Sequence, residues 1–201
     1  IEDIDPPREI KGASSRILSQ LEDHGLYWDD KVLFQSTRLD AYQNSLDILK
    51  QHNLAYHCEC SRQRVNSLEG IYDNRCRPSH LPSTNNATRL QLNQPHQLVE
   101  FVDKIAGRHV QSLIEDVGDF VIRRRDNLFS YQLAVTVDDQ YQNITHVMRG
   151  SDLLDSTPRQ IYLQHCLGFT QPQYAHLPVA TSPLGQKLSK QNLALSLISG
   201  Q

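Results

Sequence analysis

Apolar positions along the chain alternate between two periods. Ile17, Leu18 and Leu21 keep helical spacing between Ser14 and His24, and Gly25 stops the pattern. Ser36-Thr37 offers an N-cap for a second helix with Leu39, Tyr42, Leu46 and Leu49 on one face, ended by Asn53. Shorter runs then predict strands at Leu54–His57, Thr88–Leu92, Leu98–Asp103, His109–Leu113 and Phe120–Arg124. The middle three are expected to form a small inserted sheet, with Phe120–Arg124 returning to the main domain. Tyr131–Val137 is an apolar run ending in Asp138-Asp139, where turn chemistry is expected. Thr145–Met148 reads as a short buried strand, and a helix over Asp152–Leu167 closes at Gly168. In parallel sheets, ligands bind in the crevice beyond the carboxyl ends of the strands. Arg149 stands at such an end.

One stretch breaks the pattern. From Cys58 to about Asn86 the chain is rich in Cys, Arg, Pro and Ser and has little apolar periodicity. Such a segment cannot build much of a core and needs a staple. Three of the four cysteines fall here: Cys58, Cys60 and Cys76. Cys-x-Cys neighbours cannot easily bridge each other, so the cluster predicts a zinc site in a reducing compartment. Structural zinc takes four ligands in a tetrahedron. His57, His80 and Tyr72 are candidates for the fourth, and general ligand chemistry favours His80.

Composition narrows the function classes. The 201 residues fit one large domain or one carrying an insertion, and 38% are apolar. A net charge of -3 excludes a strongly basic nucleic-acid module, though not a local basic patch such as Arg123-Arg124-Arg125. No apolar run reaches 18 residues, and the acidic opening Ile1-Glu2-Asp3-Ile4-Asp5 is no signal peptide. The nine histidines show no pairing that calls for acid–base chemistry. Lys187-Leu188-Ser189-Lys190, after Gly185, suits polyphosphate, because a lysine ammonium is a mobile point charge that can follow phosphate oxygens.

Taken in order, several segments resemble the class I glutamyl/glutaminyl-type aminoacyl-tRNA synthetases: Ile1–Asp5, Tyr131 with Ala134–Asp139, Ile144–Asp152, Thr157-Pro158, His176-Leu177-Pro178 and the KLSK loop. Within that class the chain looks most like the glutamyl-Q tRNA(Asp) synthetases, shortened paralogues without an anticodon-binding domain. Cys58-x-Cys60, Tyr72 and Cys76 are similar to that family's zinc ligands, so the resemblance ranks Tyr72 first and keeps His80 in reserve. It implies a Rossmann-like parallel sheet (1–56 and 116–201) with a small zinc-binding α+β insertion (57–115). It also implies ATP-dependent, tRNA-independent activation of L-glutamate and its transfer to the queuosine base of tRNA(Asp), with Mg2+ on the phosphates. Glu2 is implied to meet the substrate α-ammonium, Tyr131 and Arg149 to recognise glutamate, and Lys187, Leu188, Ser189, Lys190 and Gln191 to handle ATP. A cytoplasmic monomer with no membrane partner is expected. The family's HIGH-like phosphate-binding motif is expected just before Ile1. The 201 residues are therefore expected to be a fragment with little activation activity alone. The alternatives are a catalytic piece of an ordinary glutamyl-tRNA synthetase and a non-catalytic binding paralogue.

Overall fold

The computed structural model describes residues 1–93, 97–182 and 187–188. The chain divides into two compact units, residues 1–39 with 179–201 and residues 40–178.

In the first unit, helix α1 (Ala13–Asp23) follows Gly12 and ends before Gly25, both in the left-handed region. The acidic opening is zipped to the segment before the second helix. The Ile1 nitrogen donates to the Leu33 carbonyl at 2.7 Å, and Gln35 N–H donates to Ile1 at 3.0 Å. Asp3 accepts from the Ser36 amide and hydroxyl at 2.8 and 2.6 Å. Ser36 and Thr37 therefore lie in a 3-10 turn (Gln35–Thr37) that Asp3 caps.

Helix α2 (Leu39–Gln51) runs to Asn53, whose positive φ lets Leu54 N–H close back on Leu49 at 2.8 Å. Its apolar face, Tyr42, Leu46 and Leu49, is fully buried. In the second unit, β1 (Ala55–Cys58), helix α3 (Arg62–Asn66), β2 (Ala87–Leu90), β3 (Leu98–Asp103), β4 (Gly107–Ser112), helix α4 (Leu113–Asp116) and β5 (Phe120–Arg123) follow. Helix α5 (Tyr131–Tyr141), β6 (His146–Gly150), a 3-10 turn (Ser151–Ser156), helix α6 (Thr157–Leu167) and β7 (Gln173–Leu177) complete it.

The strands form two sheets, and neither is the wholly parallel one expected of the main domain. One is antiparallel in the order β1-β2-β5, and the other is mixed in the order β4-β3-β7-β6. β6 and β7 are parallel, joined through the 3-10 turn and α6 in a βαβ unit, and β3 joins β7 in parallel at Asp103↔Tyr174. β3 and β4 form a hairpin, antiparallel from Leu98↔Ser112 to Asp103↔Gly107, which supplies the antiparallel edge. The predicted strands between Thr88 and Leu113 are thus shared between two sheets. The architecture is α/β with mixed sheets.

Asp138 and Asp139 lie inside α5 rather than in a turn. Ser130 caps this helix by accepting from Leu133 N–H at 3.3 Å, while Leu133, Ala134 and Val137 bury one face. Asn143, with positive φ, makes the turn instead. Asp138 is itself buried and accepts from the Tyr42 hydroxyl at 2.6 Å, which ties α2 to α5.

Candidate functional site

Two constellations in the second unit carry chemistry. The first is built around Arg149, near the carboxyl end of β6. Its guanidinium donates from Nε to His176 Nε2 (3.1 Å), from Nη1 to the Tyr131 hydroxyl (3.1 Å), and from Nη2 to Thr157 Oγ1 and Gln160 Oε1 (2.7 Å each). The four partners come from three elements. Tyr131 opens α5, Thr157 and Gln160 lie in the first turn of α6, and His176 sits on β7 opposite Arg149. Among the described residues, four of the five N–H groups are committed, leaving one Nη1 hydrogen beside the Tyr131 phenol.

Behind His176 stands Asp103, and both are almost fully buried. Asp103 Oδ2 lies 2.6 Å from His176 Nδ1, while Oδ1 accepts from the backbone N–H groups of Ile105, Ala106 and His176. Burial alone raises a carboxyl pKa, but these hydrogen bonds outweigh it and hold Asp103 well below the usual carboxylate range. The carboxylate fixes the proton on Nδ1, so Nε2 presents a lone pair to Arg149. The structure thus contains a histidine pairing that the sequence reading lacked, and its role is orientation. The alternation in β3 gave a signal, since Val99, Phe101 and Asp103 share the inward face and one of them is charged.

The second constellation is the cysteine cluster. The Sγ atoms of Cys58, Cys60 and Cys76 lie within 4.8 Å of one another. The Tyr72 hydroxyl sits among them, 3.4 Å from Cys58 and 3.7 Å from Cys60, and Cys60 and Cys76 are 3.5 Å apart. Around zinc with Zn–S near 2.3 Å, a tetrahedron has edges of ~3.8 Å. The three sulfurs and the phenol oxygen fit such a site. His80 is exposed, in the left-handed region, and does not belong to the cluster. His57 turns to Thr88, 3.3 Å away.

Two arginines flank the sulfurs, Arg89 buried and Arg64 half-buried. Arg89 donates from Nε to Cys58 Sγ at 3.2 Å and lies 3.8 Å over the Tyr72 ring, while Arg64 donates to Cys60 at 3.6 Å. Burial raises the Cys58 thiol, but hydrogen bonds from Tyr72 and Arg89 bring it below its ordinary value. Burial pushes Cys60 and Tyr72 up.

Gly118 holds the loop in place. Its φ is +68°, and an added Cβ would lie 2.4 Å from the Tyr72 carbonyl oxygen. The following residue, Asp119, is fully buried and accepts from Arg77 Nε (2.6 Å), the Tyr56 hydroxyl (2.6 Å) and Leu92 N–H (2.9 Å). Neither Gly118 nor Asp119 stands out in the sequence.

The remaining expected site residues lie in the first unit. Glu2 is exposed between the zipped residues Ile1 and Asp3. Lys187 pairs with Thr181 in an antiparallel bridge, and Leu188 N–H donates to Ala180 at 2.9 Å. Ser189, Lys190 and Gln191 lie outside the described residues.

Over residues 1–201 the chain matches the family described as tRNA synthetases class I (E and Q), catalytic domain. It belongs to that family. Its members are ligases of the aminoacyl-tRNA synthetase type. Among curated relatives, the glutamyl-Q tRNA(Asp) synthetase of Yersinia pseudotuberculosis is 49% identical over 201 residues, which is 100% of this chain and 60% of that protein. The glutamyl-Q tRNA(Asp) synthetase of Pseudomonas putida is 50% identical over 190 residues, covering 94% and 63%. The chain therefore spans less than two thirds of the length of these synthetases. A glutamate tRNA ligase from Elizabethkingia meningosepticum, crystallised with its amino acid, superposes with a TM-score of 0.79 at 25% identity. That match covers 95% of this chain and 44% of the ligase. Among the described residues, no helix is long and apolar enough to cross a membrane.

Proposed function

We propose that this chain carries the catalytic part of an enzyme that activates L-glutamate with ATP, without tRNA, and transfers it to the queuosine base of tRNA(Asp). The observation that carries the reading is the Arg149 cage, in a chain about half identical to synthetases named for that reaction. Arg149 and Tyr131 together receive the substrate side-chain carboxylate. A glutamine side chain would turn an NH2 toward these donors, so it is rejected. Glu2 pairs with the substrate α-ammonium.

In the first step an α-carboxylate oxygen attacks the α-phosphorus of ATP, the bond to the bridging oxygen breaks, and pyrophosphate leaves. The acceptor then displaces AMP from the acyl adenylate. No protein nucleophile is required, only alignment and cations where charge develops. Lys187 to Gln191 handle the ATP, Lys187 and Lys190 supplying the cations with Lys190 the main contact, and Mg2+ arriving with ATP would add positive charge at the phosphates. Cys58, Cys60, Tyr72 and Cys76 hold a structural zinc that staples an insertion over residues 57–115. The reading places the protein in the cytoplasm.

The deciding experiment offers labelled glutamate to queuosine-containing tRNA(Asp), queuosine-free tRNA(Asp) and tRNA(Glu), using gene-length protein. Label confined to the queuosine-containing tRNA is expected. Label on tRNA(Glu) would replace this reading with that of an ordinary glutamyl-tRNA synthetase.

A further inference from the structure

Beside the cysteine cluster lies a cavity of about 660 Å³, inside the ~300–1,000 Å³ range of small-ligand sites. It is distinct from the cage around Arg149, but the two share a wall. Ser130 and Gln132 flank Tyr131 and line the cavity, and Gln132 donates to Ser156 at 3.0 Å, one residue before Thr157.

Five arginines line this space: Arg62, Arg89, Arg124, Arg125 and Arg159. Among the described residues that line the cavity, the acidic ones are Asp119 and Asp126. Asp119 is already engaged by Arg77, and Asp126 by Arg124 at 2.6 Å. Arg89 is turned to Cys58 and to the Asp119 carbonyl. The other three have no carboxylate partner among the described residues. Arg125 donates to the Glu59 carbonyl and Arg159 to the Asp155 carbonyl, while Arg62 opens α3 at the surface. Burial lowers the Arg159 pKa and the charge of Asp155 offsets this only in part.

An acidic ligand alone does not explain the rest of the lining. Val65, Val117, Phe120 and Val121 give the cavity an apolar wall. Gln132 Oε1 is buried without a hydrogen-bond partner. If the amide is reversed, an N–H is left unmet instead. An acidic peptide would satisfy the arginines and leave both features unused. An unstacked nucleotide uses all three, with phosphates on the arginine forks, a flat base against the apolar wall, and a base edge for the amide. We propose that this cavity seats one looped-out nucleotide of an RNA strand, with its flanking phosphates on Arg62, Arg125 and Arg159. The inference rests on the proposed function for the identity of that RNA, and places the acceptor strand directly behind the wall of the glutamate site.

The test is fluorescence anisotropy with a labelled RNA stem-loop carrying the tRNA(Asp) anticodon loop, at several salt concentrations. Arg62→Ala/Arg125→Ala should weaken binding about tenfold or more, and flatten the salt dependence by about 0.7 in log–log slope for each lost phosphate contact. Both side chains are exposed, so thermal unfolding should match that of the native chain. Arg62→Lys should keep the slope while losing part of the affinity. Unchanged affinity and slope in the double variant would overturn the proposal. So would absence of stem-loop binding, or native binding of duplex RNA or polyglutamate as tight as that of the stem-loop. If the stem-loop binds through these arginines but no tRNA receives glutamate, the proposed function fails and the cavity assignment stands. Full glutamate transfer with undiminished RNA affinity in the double variant has the opposite meaning.

Discussion

Replacing Asp103 with asparagine tests whether the buried carboxylate orients Arg149. The amide can keep its oxygen toward the N–H groups of Ile105 and Ala106, now 3.0 and 2.8 Å away, but its NH2 then faces His176 Nδ1. If His176 keeps its Nδ1 proton, two donors meet across a gap that is 2.6 Å in the native protein. If the proton moves to Nε2, the same conflict appears at the 3.1 Å contact with Arg149 Nε. Either arrangement loses one buried charge-assisted hydrogen bond, which costs about 1.5–3 kcal/mol. With a urea slope of about 1–3 kcal/mol/M, the midpoint should fall by about 1 M at neutral pH.

The effect should also depend on pH with a definite sign. Asp103 titrates lower when folded than its unfolded value of about 3.9, so its contribution is present above pH ~4 and is lost as pH falls toward the folded pKa. The gap between native protein and D103N should therefore narrow in acid. Glutamate affinity by calorimetry should drop about tenfold, ~1.4 kcal/mol, as Arg149 loses its anchor. A D103N midpoint within error of native at neutral pH, with unchanged glutamate affinity, would refute the argument.

Three further outcomes follow from the sites. Gly118→Ala forces a Cβ into the Tyr72 backbone at a positive φ, so it should destabilise the protein by about 1–3 kcal/mol and lower bound zinc, measured by denaturation and elemental analysis. Cys60→Ser should lose most bound zinc, Tyr72→Phe should weaken zinc retention against a chelator about 10-fold or more, and His80→Ala should match native; dependence on His80 would reinstate it as the fourth ligand. Arg149→Lys removes the planar fork that meets Tyr131, Thr157, Gln160 and His176, so glutamate binding should become undetectable by calorimetry while Cys-site zinc content stays unchanged.

What the sequence disclosed and what it concealed differ in a physical way. Asn53 and Gly168 end their helices through positive φ, a local property readable from residue type and position. Cys58, Cys60, Tyr72 and Cys76 span 19 residues, and clustering drew attention to the cysteines, whereas only the family resemblance ranked Tyr72 above His80. Tyr131 opening α5 was harder, because β-branched Val135, Thr136 and Val137 weaken helix propensity and obscure the Ser130 cap. Asp103 and His176 are 73 residues apart and meet only because β3 joins β7, a pairing no local pattern encodes.

The same reasoning separates the arginines. Arg123, Arg124 and Arg125 are indistinguishable as a run, yet β5 ends at Arg123 and the chain turns after it, with Asn127 N–H donating to the Arg124 carbonyl at 3.1 Å. Arg123 donates to Gln43 and lies over the Phe129 ring, whereas Arg124 and Arg125 border the cavity beside Cys60. A basic triplet thus has one member that packs the second unit and two that stay with the cavity. Substituting Arg123 should cost stability with little change in RNA affinity, whereas substituting Arg125 should do the reverse. That divergence between adjacent residues is a property of the fold, and composition and charge could not have anticipated it.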